Sequence, residues 1–258
     1  MGVVNVTPDS FSDGGLYLDP QAAIAHGKEL AADGAAILDV GGESSRPGAA
    51  PVAADEELRR VEPVVAGLVG LGPEISVDTS KATVAEAALD AGATIVNDVT
   101  ALRGDPEMAG LVADRGAGAI LMHMAGDPRT MQVNPEYGDV VAEVREFLAE
   151  RLATAVAAGI AEERIWLDPG IGFGKADPHN FELLRNLGEL ASLGRPLVVG
   201  TSRKSFIGRA DGSETDDRLG GTVATSILAA MAGAAVLRVH DVRELVEALD
   251  VANAVLGT

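Results

Sequence analysis

Short apolar runs recur along the chain, each ending in glycine or polar residues and each followed by a helical pattern. They span Gly2–Val6, Ala36–Val40, Glu74–Asp78, Thr94–Asp98, Gly118–His123, Arg164–Pro169, Pro196–Gly200 and Ala235–Val239. Their apolarity is near-continuous rather than alternating, which is what a parallel strand covered on both faces requires. Between them the spacing predicts helices over Gln21–Ala32, Asp55–Leu68, Thr83–Ala91, Pro106–Arg115, Val140–Ala158, Asn180–Ser192, Leu219–Gly233 and Val242–Leu256. Asp19-Pro20 supplies an N-cap and a first-turn proline for the first of these. Eight strand-then-helix units in 258 residues is the arithmetic of an α/β fold, a single (β/α)8 TIM barrel over 1–258. A doubly wound sheet is the runner-up, because periodicity alone does not say whether the sheet closes.

Composition narrows the partners. The stretch Leu219–Leu237 carries no charge, but it contains glycines and hydroxyls and no aromatic anchors; it reads as a buried helix running into a buried strand rather than a membrane span. The chain opens directly in a strand-like run with no basic leader, so the expected location is cytoplasmic. With the first strand opening the sequence, the expectation is that the bottom of the barrel is covered by other means or that the sequence lacks an N-terminal extension. The absence of cysteine excludes disulfides, thiolate metal sites and a cysteine nucleophile. A net charge of −19 argues against nucleic acid and anionic membrane as partners. An anion site on such a chain must concentrate scarce cations, and three of the four lysines, Lys81, Lys175 and Lys204, follow strand ends.

The active site of such a barrel lies at the C-terminal ends of its strands. Every predicted strand end here is polar. Asp78, Asn97 and Asp168 follow the third, fourth and sixth strands; two carboxylates and an amide suit a flat heterocycle with several N–H donors. Arg203, Lys204, Arg238 and His240 follow the seventh and eighth, where these barrels frequently hold phosphate. Asn5 and Asp9 offer hard oxygen atoms for a magnesium ion bridged to that phosphate. The residues alone therefore point to a barrel that binds a polar heterocycle bearing phosphate.

Other motifs fail on spacing. Gly170-Ile-Gly-Phe-Gly-Lys175 looks like a phosphate loop, but Pro169 stands where the first glycine must be and Ala176 replaces the Ser/Thr. The four histidines show no zinc spacing, and no nucleophile elbow supports a serine triad. His26 reads as a solvated face residue and His179 as structural; His123 is open between core histidine and mouth residue.

These residues closely resemble the dihydropteroate synthase family. The matching motifs are Asn5-Val-Thr-Pro-Asp-Ser-Phe-Ser-Asp-Gly-Gly15, Gly42-Glu-Ser-Ser-Arg-Pro-Gly48, Val77-Asp-Thr-Ser-Lys81, Val96-Asn-Asp98, Met122-His-Met124, Leu167-Asp-Pro-Gly-Ile-Gly-Phe-Gly-Lys175, Ser202-Arg-Lys-Ser205 and Arg238-Val-His-Asp241. They occur in family order and cover essentially the whole chain. The resemblance implies a (β/α)8 fold and condensation of 6-hydroxymethyl-7,8-dihydropterin diphosphate with 4-aminobenzoate, giving 7,8-dihydropteroate and pyrophosphate. It implies that Asp78, Asn97, Met122, Asp168 and Lys204 bind the pterin, that Asn5, Arg238 and His240 hold the diphosphate, and that Asn5 is the Mg2+ ligand. It implies an aminobenzoate subsite of Ser45, Arg46, Pro47, Phe173, Ser202 and Lys204. Asp9 and Asp13, with Phe11, fall in a first loop that closes over the substrates, and Asp9, Asp13, Arg46 and Lys204 are the expected catalytic set.

The partners it implies are small-molecule substrates and a second copy in a homodimer. Position 45 is serine where threonine is common; the hydroxyl survives. The expected mechanism is dissociative: the diphosphate leaves first and the arylamine then attacks. A corrinoid-dependent pterin methyltransferase domain would need the pterin residues but neither the cations after strands seven and eight nor the Asn5–Gly15 loop. A non-catalytic pterin carrier would be expected to lack the first-loop carboxylates or Lys204.

Overall fold

Strand and helix alternate along the chain, and the computed structural model describes residues 1–7, 19–44, 48–126 and 130–257. The order is β1 (Gly2–Asn5), α1 (Pro20–Ala32), β2 (Ile37–Gly41), α2 (Ala54–Leu68), β3 (Glu74–Asp78), α3 (Ala82–Asp90), β4 (Ile95–Asp98), α4 (Met108–Asp114) and β5 (Gly118–Met122). It continues with α5 (Val140–Ala157), β6 (Ile165–Asp168), α6 (Asp177–Arg185), α7 (Leu187–Ala191), β7 (Leu197–Val199), α8 (Ser205–Asp211), α9 (Leu219–Met231), β8 (Ala234–Leu237) and α10 (Val242–Leu256). The eight strands form one curled parallel sheet in the order β1 to β8, each beside its neighbour in sequence. After β8 the chain returns to β1: the Val3 N–H donates to Val239 O at 3.0 Å, and the Val239 N–H to Met1 O at 2.9 Å.

The two faces of the sheet carry separate apolar clusters. The larger includes Leu38, Val40, Ile75, Val77, Val96, Leu121, Leu167 and Leu197, packed with helix residues such as Leu30, Val64, Leu68, Leu148 and Leu183. The smaller is Ile95, Ile120 and Val198, with Ile37, Trp166 and Val236 against them. Side chains alternate faces along a strand, so residues of the smaller cluster have same-face neighbours two positions on. Those neighbours are Asp39, Asn97, Met122, Asp168, Gly200 and Arg238. The inner face is therefore apolar at one level and polar at the next, towards the C-terminal ends.

The helices start and stop for local reasons. Asp19 caps α1, accepting the Gln21 N–H at 3.1 Å with Pro20 in the first turn, and Asp139 caps α5 through the Val141 and Ala142 N–H groups at 3.0 Å each. Three expectations need correction. The helix expected over Asn180–Ser192 is two helices, because Asn186 leaves helical geometry (φ −114°, ψ 23°) and its side-chain amide bonds Glu182 O at 2.8 Å. The seven-residue α8 was not expected; it ends at Gly212, whose φ of 82° is the left-handed stop. The segment expected to be a buried helix and strand is only partly buried. In α9 the buried positions are Thr222, Ser226 and Ala229, while Leu228 and Met231 are 61% and 62% exposed, and β8 is half-covered up to Leu237. Small and hydroxyl side chains let α9 approach closely, with Thr225 Oγ1 bonding Thr201 Oγ1 at 2.9 Å, so the larger apolar residues point outward.

Among the described residues, no helix is long and apolar enough to cross a membrane.

Candidate active site

Asn5, Asp78, Met122 and Asp168 are the last residues of β1, β3, β5 and β6, and Asn97 lies one residue before the end of β4. Phe173 follows β6, Ser202 and Lys204 follow β7, and Arg238 and His240 follow β8. Parallel pairing sets Gly41 beside Asp78 and Asp78 beside Asn97. The expected residues Asp9, Phe11, Asp13, Ser45, Arg46 and Pro47 lie outside the described residues.

The signs are not separated as expected. The sequence groups Arg238 with the phosphate-binding cations rather than with the carboxylates. Instead its guanidinium spans two of them, with Nε donating to Asp39 Oδ2 at 2.6 Å and Nη2 to Asp78 Oδ2 at 3.0 Å. The reason is the inner-face alternation: Arg238 and Asp39 share one face, and the curl of the sheet brings β8 round to β2. Asn97 joins the same network, its Nδ2 donating to Asp39 Oδ2 at 3.1 Å. Arg203 likewise pairs with Asp241, Nε to Oδ2 at 3.0 Å, with the backbone of Arg203 in the left-handed region (φ 57°).

Asp39, inside the second predicted strand, carries no role in the sequence reading. It is fully buried, and its Oδ1 has no hydrogen-bond partner. The signal was in the sequence: a lone carboxylate in Ile37-Leu-Asp-Val-Gly41, on the face opposite Leu38 and Val40.

Burial and the Asp39 carboxylate push the Asp78 carboxyl above its ordinary range, and the nearby Arg238 only partly offsets this. Burial also raises Asp168, against the pull of Lys204 and of the Gly170 N–H that bonds its Oδ1 at 2.7 Å. Lys204 is lowered to about 8, chiefly by burial, with Asp168 working the other way. Its ammonium donates to Ile171 O and lies 4.6 Å from the centre of the Phe173 ring. Ser202 Oγ lies 2.9 Å from His240 Nδ1 and accepts the His240 N–H at 3.2 Å. Buried carboxylates, an amide, an ammonium over an aromatic ring and a guanidinium thus meet at one end of the sheet. Such a set can accept several N–H groups from a planar ligand while offering cations to an anionic substituent.

The strand-six loop is fixed from beneath. Lys175 is 1% exposed, and its Nζ donates to Gly170 O and Phe173 O at 3.0 Å each and meets His123 Nδ1 at 2.8 Å. Lys175 therefore ties the loop together from within. His123 is a packed histidine, edge-on to Phe147 at 4.8 Å, and burial with the Lys175 charge lowers it to about 3. His179 accepts the Ala176 N–H at 3.2 Å at the start of α6, the structural role expected of it. His26, expected on a solvated face, is half-buried in α1.

The metal expectation rests on Asn5. Among the described residues no three His, Asp or Glu side chains cluster as a metal cage. The Asn5 amide supplies one oxygen donor, and Mg2+ commonly keeps several waters and shares substrate phosphates rather than sitting in a dedicated protein cage; the carboxylate named beside it, Asp9, lies outside the described residues.

The family model for pterin binding enzymes matches residues 1–240. The dihydropteroate synthase of Escherichia coli (strain K12) is 48% identical over 258 residues, covering 100% of this chain and 91% of the relative. The structure of Yersinia pestis dihydropteroate synthase with a sulfonamide drug complex superposes with a TM-score of 0.97 at 44% identity, covering 100% of this chain and 94% of that one. Xanthomonas albilineans dihydropteroate synthase in complex with 7,8-dihydropteroate gives a TM-score of 0.90 at 48% identity, covering 100% and 93%. The chain belongs to the pterin binding enzyme family, among its dihydropteroate synthases.

Proposed function

We propose that this chain condenses 6-hydroxymethyl-7,8-dihydropterin diphosphate with 4-aminobenzoate, releasing 7,8-dihydropteroate and pyrophosphate. The observation that carries the reading is the convergence of Asp78, Asn97 and Asp168 with Lys204, seated over Phe173, at one end of the sheet. The family membership and the relative that binds 7,8-dihydropteroate support it. So does the pair of hydrogen bonds from Val239 back to β1, which favours a closed (β/α)8 barrel formed as a single domain over 1–258.

In this reading Asp78, Asn97 and Asp168 accept and orient the N–H groups of the pterin edge, and the Met122 side chain packs beside the ring. The carbon–oxygen bond to diphosphate breaks with its electron pair going to the leaving group. The positive charge left on the methylene spreads into the ring, where the neighbouring carboxylates offset it. Arg238 offers its guanidinium and His240 its ring to the leaving diphosphate, Arg238 by exchanging a carboxylate partner for phosphate oxygens. The arylamine nitrogen, held against Phe173, Ser202, Lys204 and the Ser45–Pro47 loop, then forms the new carbon–nitrogen bond and loses a proton. Asp9 and Asp13 help exclude water, which would otherwise capture the cation. Asn5 would hold Mg2+, which when bound neutralises charge on the diphosphate.

The exposed apolar residues Leu228 and Met231 of α9 and Val251 and Val255 of α10 support a second copy as partner. The location proposed is the cytoplasm, with no nucleic acid or membrane partner.

The test is a mass-spectrometric assay for dihydropteroate with purified protein, the two substrates and Mg2+. Product should form with the wild type and fall by roughly 10²–10³ in Lys204→Ala at unchanged circular dichroism. Methyl transfer from a methylated pterin without dihydropteroate formation would overturn the reading. Pyrophosphate release in the absence of 4-aminobenzoate would support departure before attack; strict dependence on the amine would favour a concerted reaction.

A further inference from the structure

The chain between β2 and α2 is held at both ends by one carboxylate. Glu43 Oε1 accepts the Val52 N–H at 3.1 Å, across nine positions of sequence. Its Oε2 accepts from the Lys81 ammonium. The same ammonium donates to Glu57 Oε2 at 2.5 Å, and the Glu57 side chain is wholly buried in the first turn of α2. One turn further on, Arg60 donates from Nη1 to Gly42 O at 2.9 Å and from Nε to Glu56 at 3.0 Å. Lys81 itself stands three residues after Asp78, at the N-terminus of α3. It therefore links the strand end that carries Asp78 to both ends of the 44–51 segment.

Structural stabilisation alone accounts poorly for this arrangement. A buried ion pair recovers its desolvation cost only when all its polar atoms are partnered, and Glu57 Oε1 has no hydrogen-bond partner. Side chains of Lys81 and Glu43 are about a quarter exposed, at 25% and 26%, so their pairing spans the rim of the sheet rather than its core. Burial disfavours the charged ammonium, but the bonds from Glu43 and Glu57 outweigh it and raise the Lys81 pKa, so the cation persists.

We propose that Lys81 is a positioning residue for the arylamine substrate. Acting through Glu43, it fixes the spacing between residues 43 and 52, the two described ends of the β2–α2 connection to which Ser45, Arg46 and Pro47 belong. This rests on the function proposed above, in which that loop receives 4-aminobenzoate. The pterin, held by the strand ends themselves, does not depend on the clamp.

The test uses the full chain. Glu43→Ala removes the clamp at a partly exposed position and leaves Lys81 paired with Glu57. The double variant Lys81→Met with Glu57→Gln removes it from the other side without leaving a buried charge unpaired. In both, KM for 4-aminobenzoate should rise about tenfold, the scale of one lost charge-assisted hydrogen bond, while KM for the pterin diphosphate stays within about twofold. Amide exchange at residues 48–50 and 52 should accelerate in both. Equal shifts in the two KM values, or an unchanged KM for the amine, would overturn the proposal, as would unchanged exchange at those amides. If the wild type forms no dihydropteroate, the functional reading fails and the substrate assignment with it. The exchange measurement still decides separately whether the clamp exists.

Discussion

His123 shows how far burial can remove a group from chemistry. It sits two residues after Leu121, accepts from Lys175 and packs on Phe147, with its pKa lowered from 6.5 to about 3. The unfolded chain binds a proton at this side chain below pH 6.5 and the folded chain does not until about pH 3. Its contribution to stability is thus complete above pH 6.5 and is lost as pH falls towards 3, by about 1.4 kcal/mol per pH unit. His123→Gln keeps an acceptor for Lys175 but does not titrate. Urea unfolding between pH 7 and 4.5 should show the gap between wild type and variant closing with acid, and a constant gap would deny the depressed pKa. Residue identities at the strand ends were legible in the sequence. Their partners were not, because Arg238 and Asp39 are separated by 199 positions and meet only once the sheet has curled.

At the scale of elements, the join between β5 and β6 tolerates no side chain at Gly170. Its φ is 66°, and a Cβ there would stand 1.9 Å from His123 O, a backbone atom that cannot swing aside. Gly170→Ala should cost about 3 kcal/mol or more and lower activity, because Asp168 and Phe173 flank the same turn. Thermal melting read beside the assay checks this; a melting point within a degree of the wild type would refute it. The sequence located all eight strands within a residue or two, since near-continuous apolar runs of four to six residues allow little else. Helix interruptions were harder to see. The break at Asn186 comes from one side-chain hydrogen bond, and α8 is too short to show a period.

The whole molecule joins a strongly acidic surface to an apolar face. Leu228 and Met231 on α9 are exposed, and so are Val251 and Val255 on α10, at 66% and 81%. The uncharged stretch was legible in the sequence but its direction was not, because Thr222 and Ser226 took the inward positions. If this face meets a second copy, Met231→Glu with Val255→Glu should give monomers by light scattering. Two chains of net charge −19 repel one another, so salt should favour association by screening them. A wild type that stays monomeric at every salt concentration would exclude the pairing.

The two-level inner face has a consequence for refolding. Ile95 and Asn97, or Trp166 and Asp168, occupy one side of the same strand two positions apart. A shift of a single residue in pairing would expel the apolar member and sink the polar one on the wrong side. No molecule can regain turnover with a misaligned sheet. The ratio of recovered turnover to recovered ellipticity after denaturation therefore counts the fraction of chains that have threaded correctly.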